Sequence, residues 1–108
     1  MRSRIGLRAR TDFRVIASSG KRNTRCRGIE ISSSGIVIDR GVSPADVPFY
    51  QWLELHLPER LRPLRALARS VWSAGTQQAL KFVRISDADR LSLAEHLDLQ
   101  SRRGLPVS

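Results

Sequence analysis

Leu53, Leu55 and Leu57 alternate with Glu54 and His56 in the segment Trp52-Leu53-Glu54-Leu55-His56-Leu57, and no other stretch of the chain restricts the fold as much. Successive side chains of an extended chain point to opposite faces, so the three leucines share a buried face while Glu54 and His56 look outward. Pro58 ends the strand. The same signal recurs on both sides. Phe13 to Ala17 is a β-branched and aromatic run that stops at the polar stretch Ser18 to Asn23, whose residues suit a turn. From Thr24 to Ser32 the alternation puts Ile29 and Ile31 on one face and Cys26, Glu30 and Ser32 on the other. Ile36-Val37-Ile38 starts a further strand after Ser33-Ser34-Gly35, and the stretches Leu64 to Trp72 and Gln78 to Ile85 add two more, the last with Leu80 and Phe82 on a common face. Phe49, Tyr50 and Trp52 cluster at a loop-to-strand junction and are expected to close one end of the structure.

Ser86, followed three residues later by Asp89, has the form of a helix cap, and the acids suit the positive end of the helix dipole. Ala88, Leu91, Ala94 and Leu97 then predict a helix to about Leu99 that docks by that stripe. Six short strands and a terminal helix in a chain of 108 residues give a mainly β fold, a small six-stranded antiparallel β-barrel with a C-terminal α-helix. Barrel closure removes exposed strand edges. The division expected is a flexible basic arm over residues 1–10, one barrel domain with its helix over 11–100, and a loose tail over 101–108.

The charge is uneven. Residues 1–28 hold nine basic side chains against Asp12 alone, 9 − 1 = +8 of the net +9. Such a field attracts phosphate groups without choosing among nucleotide, nucleic acid and membrane headgroup. Cys26 is the single cysteine, which excludes an intrachain disulfide and points to a reducing compartment. No apolar run exceeds the three residues of Ile36-Val37-Ile38, too short for a signal-peptide core or a membrane span, so the expected location is the cytoplasm.

Catalysis finds little support. His56 and His96 each stand apart from any His/Glu or Cys motif, no serine sits in a nucleophile elbow, and no glycine-rich loop ends in Lys-Ser or Lys-Thr. Both histidines read as surface or packing residues. No catalytic residue, metal site or cofactor is assigned, and the chain is expected not to be an enzyme.

Two features at a defined separation remain. Arg4 and Arg8 precede the first strand, and Glu30-Ile31-Ser32-Ser33-Ser34-Gly35 closes the second. Glu30 and Ser32 share a side of the strand, Gly35 permits a tight turn that exposes amides, and the two arginines can close on phosphate or on a guanine edge. Arg10/Arg14 and Arg65/Arg69 repeat the arginine spacing, but Arg14 falls inside the first strand and Arg65/Arg69 in a later one.

The arrangement resembles the PilZ domain, the bacterial receptor for the second messenger cyclic di-GMP. That family carries Arg-x-x-x-Arg followed by Asp/Asn-x-Ser-x-x-Gly. The similarity extends through Leu53 to Pro58, Ser70-Val71-Trp72, the strand containing Phe82, and Ile85-Ser86-Asp87. It implies a nucleotide bound on the outer wall of the barrel, with Arg4 and Arg8 matching the arginine pair and Ser32 and Gly35 the second motif. Glu30 is the departure, its carboxylate one methylene farther from the backbone than in the family's Asp or Asn. Trp72 is added as a contact whose indole could stack on guanine.

Three functions follow in order. The first is a cyclic di-GMP receptor whose arginine arm orders on the ligand and signals to a partner protein. The second is a PilZ-fold adaptor that binds no nucleotide and acts by protein contact. The third is a basic barrel that binds RNA or single-stranded DNA, ranked last because the first 28 residues hold no aromatic but Phe13.

Overall fold

The computed structural model describes residues 8–43 and 47–102. Six strands and one helix follow in order: β1 (Arg8–Ser19), β2 (Arg22–Ser32), β3 (Gly35–Asp39), β4 (Tyr50–Leu55), β5 (Leu64–Ala74), β6 (Gln77–Ile85) and α1 (Asp87–Arg102). The strands close into an antiparallel barrel in the order β1-β2-β3-β6-β5-β4. Every strand therefore has two hydrogen-bonded neighbours.

Alternation builds the core as expected along β4, where Leu53 and Leu55 point inward and Leu57 follows just beyond the strand. Val15, Ile31, Ile38, Leu64, Ala66, Ala68 and Leu80 complete the interior from the other strands. The strict period fails in β2. Glu30 pairs with Val37 and Gly28 with Ile38, so Ile29 is an extra residue, and a matching irregularity in β1 lies between Arg10 and Phe13. A bulge of this kind reverses the phase of the side chains beyond it. Cys26 and Gly28 face the core on one side of the bulge and Ile31 on the other, whereas Ile29 is only half-buried. The expectation that Cys26 shares the outer face with Glu30 is thereby corrected.

Two boundaries also differ from those expected. β1 begins at Arg8, because Ala9 enters the core opposite Ile31, so residues 8–10 belong to the barrel wall. The first hairpin turns over Gly20-Lys21 alone, with Ser18 opposite Asn23 and their side chains hydrogen-bonded at 2.8 Å.

The helix begins as expected, with Ser86 Oγ accepting the Asp89 amide at 3.1 Å. Its buried face is different. Leu93, His96, Leu97 and Gln100 pack inward while Ala88, Leu91 and Ala94 are exposed. A three-residue repeat drifts around a helix of 3.6 residues per turn, and the true stripe follows the helical period. Tyr50 and Trp52 lie on the outer face of β4 instead of closing a barrel end. One end is closed by Arg40, whose guanidinium donates to Gln78 Oε1 at 2.8 and 3.0 Å and to Gln51 Oε1.

Candidate functional site

The β2–β3 turn sets the geometry. Ser32 Oγ accepts the amides of Ser34 and Gly35, each at 3.2 Å, which folds the chain back between the strands. Ser34 O in turn accepts the Phe82 amide at 2.8 Å, anchoring the turn to β6. Gly35 is required by space: a Cβ there would meet the Leu80 carbonyl oxygen at 2.3 Å. The Gly35 amide is thus bonded to Ser32 and not presented to a ligand, contrary to the expectation from sequence. Ser32 and Gly35 shape the wall more than they reach from it.

Beside this turn an open groove of about 450 Å³ runs along β2, β3 and β6. Arg8, Glu30, Ser32, Ser34 and Gly35 line it together with Val37, Val71, Ala79 and Lys81. Four of the residues singled out in the sequence, Arg8, Glu30, Ser32 and Gly35, therefore meet around one depression. Arg4 lies outside the described residues. Trp72 is exposed on β5 but does not line the groove. Its register explains this: Ser70 pairs with Leu80 and Trp72 with Ala79, so Val71 is a bulged residue, and it is Val71 that faces the groove.

Arg8 and Glu30 form an ion pair at 3.6 Å, with the two side chains 48% and 31% exposed. Exposed pairs of this kind contribute roughly 0–1 kcal/mol. Either partner is easily drawn away by a better one, such as a phosphate for the guanidinium. Lys81, paired with Gly35 across β3 and β6, adds a second cation to the lining. Lys81 and Val71 escaped sequence reasoning because only the pairing of β3 with β6 and the bulge in β5 bring them here.

No protein-family model matches the chain, and no curated protein sequence does. Solved structures do. The Bacillus subtilis inhibitor of motility (MotI/DgrA) superposes with a TM-score of 0.81 at 17% identity, over 95% of this chain and 53% of that one. An uncharacterized Legionella protein superposes with a TM-score of 0.62 at 19% identity, over 90% of this chain and 97% of the other. The present chain spans about half the length of the Bacillus protein. At these identities the likeness carries the fold alone: a closed, six-stranded antiparallel barrel with one C-terminal helix. Among the described residues no helix is long and apolar enough to cross a membrane.

Proposed function

We propose that this chain is a cytoplasmic, non-enzymatic receptor domain that binds cyclic di-GMP in the groove beside the β2–β3 turn and passes the signal to a partner protein. The observation that carries the reading is the convergence of Arg8, Glu30, Ser32 and Gly35 on one open groove of the barrel wall. These are the described residues that match, or nearly match, the two PilZ motifs. A groove of about 450 Å³ is of the size that holds a small organic ligand. On binding, Arg8 exchanges Glu30 for a phosphate, and the freed Glu30 carboxylate accepts hydrogen bonds from a guanine edge. Arg4, four residues upstream, supplies the second guanidinium. The name of the Bacillus neighbour, an inhibitor of motility, suits a protein that acts on another protein.

The Arg8–Glu30 ion pair also favours a second reading, a PilZ-fold adaptor that binds no nucleotide. In that case Glu30, longer than the family's Asp or Asn, holds Arg8 and closes the site upon itself. One experiment separates the two. Isothermal titration with cyclic di-GMP, against cyclic di-AMP and GTP at two salt concentrations, gives selective and saturable heat for a receptor, lost in Arg4→Ala/Arg8→Ala. No heat with wild type, and heat gained in Glu30→Asp, establishes the adaptor.

A further inference from the structure

Around the wall from the groove, the outer faces of β4, β5 and β6 form a second surface. β4 presents Tyr50 and Trp52, 53% and 37% exposed, and β5 presents Arg65, Leu67 and Arg69. β6 adds Lys81, Val83 and Arg84. The register stacks them in rows: Tyr50 lies opposite Arg69, which lies opposite Lys81, and Trp52 lies opposite Leu67, which lies opposite Arg84. The guanidinium carbon of Arg65 sits 4.7 Å from the centroid of the Trp52 ring, a cation–π contact that fixes both side chains. Next to them opens a cavity of about 550 Å³ lined by Trp52, Arg65, Arg84, Ile85, Ser86 and Asp89.

The charge on this face is unbalanced. Among the described residues, the ion pairs at Asp12, Glu30, Glu54, Glu59 and Glu95 do not include Arg65, Arg69 or Arg84. Two acids border the face: Glu54, opposite Arg65 in the register, lies 3.6 Å from His56, and Asp89, on the cavity wall, accepts the Arg65 backbone amide at 3.2 Å, which leaves the arginines in excess. Exposed Trp, Tyr and Arg around an apolar depression are the residues that dominate binding energy at protein interfaces.

We propose that this face docks an acidic segment of a partner protein, which seats an apolar side chain in the cavity beside Trp52 and sets Asp or Glu against Arg65, Arg69 and Arg84. Guanidinium groups match carboxylates in bidentate geometry, so the arginines select an acidic segment. The alternative of a single-stranded nucleic acid is less well served, because bases need free aromatic faces and Arg65 already covers that of Trp52. The surface works whether or not the groove takes a nucleotide.

The test is to pan a displayed random peptide library against the whole chain, with counter-selection on Arg65→Glu/Arg84→Glu. Peptides in which acidic residues flank an apolar one are expected. Their affinity should fall roughly tenfold in Trp52→Ala and in Arg84→Ala, and stay unchanged in Arg8→Ala. Arg84 is exposed, so its substitution does not put the core at risk, and a thermal melt checks Trp52→Ala. No enrichment, enrichment of sequences without acidic residues, or affinities indifferent to both substitutions would overturn the proposal. A labelled single-stranded oligonucleotide that displaces the peptides and binds the face more tightly would replace it with a nucleic-acid site.

Discussion

Gly35 and Leu80 stand so close across the β3–β6 pair that a Cβ on the glycine would lie 2.3 Å from the leucine's carbonyl oxygen. The clash is with backbone, which cannot rotate away as a side chain can. The glycine of the Ser-x-x-Gly segment is therefore explained by strand packing, independently of any ligand.

Gly35→Ala is accordingly predicted to destabilise the barrel by about 1–3 kcal/mol, the usual range for forcing an extra carbon into packed structure. For a domain of this size that corresponds to a fall of roughly 4–8 °C in thermal midpoint per kcal/mol. Calorimetry would check it. An unchanged midpoint would show that β3 and β6 can separate freely. Loss of nucleotide binding in this variant would have to be read against its stability.

Arg40 and Gln78 lead to a second prediction. Gln78 is fully buried, and its Oε1 accepts from Arg40 Nε, from Arg40 Nη2 and from Gln51 Nε2, while its Nε2 donates to Ser70 Oγ at 3.3 Å. Arg40→Ala strands the buried Gln51 Oε1 and leaves Gln78 Oε1 with Gln51 Nε2 alone, at a cost of about 1–3 kcal/mol. Gln78→Leu should cost less in the Arg40→Ala background than in the wild type, where it also strips the guanidinium of its acceptor. Chemical denaturation of the single and double variants measures the coupling, and simple additivity would argue against a shared network.

These residues also show what the sequence could reveal and why it stopped there. Leu53, Leu55 and Leu57 announced their strand because β4 carries no bulge, so period two survives from end to end. Ile29 and Cys26 misled because a single extra residue in β2 reverses the phase, and its one local mark is Gly28, a glycine inside a strand pattern. The helix stripe misled for a different reason. His96 and Gln100 are polar, so a search for apolar residues passes over half the buried face. Arg8, Glu30, Ser32 and Gly35 were legible as a group because motif order places them at one turn. Lys81, Val71 and the Arg65–Trp52 contact depend on which strands become neighbours around the barrel, a long-range fact that no short window contains.

Asp39 gives the protein an acid-sensitive element. The Gly41 amide, donating to its Oδ1 at 2.8 Å, holds the carboxyl below its ordinary value, with the Thr76 side chain and the nearby Arg27 guanidinium acting in the same direction and desolvation against them. A carboxylate whose folded pKa is depressed stabilises the fold above its unfolded pKa and ceases to do so as pH falls through the folded one. The contribution is therefore complete at neutral pH and is lost below the ordinary value of 3.8. Asp39→Asn should flatten the acid limb of stability in that range. Thermal midpoints followed from pH 6 down to about pH 2 would show a parallel fall in both proteins if Asp39 had no part in it.

His96 and Glu59 join the helix to the loop after β4. The imidazole is 1% exposed, its Nδ1 lies 2.6 Å from Glu59 Oε2, and its ring meets Phe13 edge to face at 6.0 Å between centroids. Nδ1–H donates to the carboxylate, so the ring acts as a polar peg set in an apolar wall. His96→Ala removes the bond and leaves a cavity, and the expected cost is about 2–4 kcal/mol. Glu59→Ala leaves the buried N–H unpaired and should cost about 1–3 kcal/mol. Because both substitutions break the same bond, the double variant should be more stable than the sum of the two losses by at least ~0.5 kcal/mol. Arg60 and Glu95 pair beside this contact, so Arg60→Ala is the control, an exposed ion pair whose removal should change stability by less than about 1 kcal/mol. If urea titrations gave His96→Ala and Arg60→Ala the same small effect, the helix would be held by Leu93 and Leu97 alone, and the histidine would be a passenger in its seat.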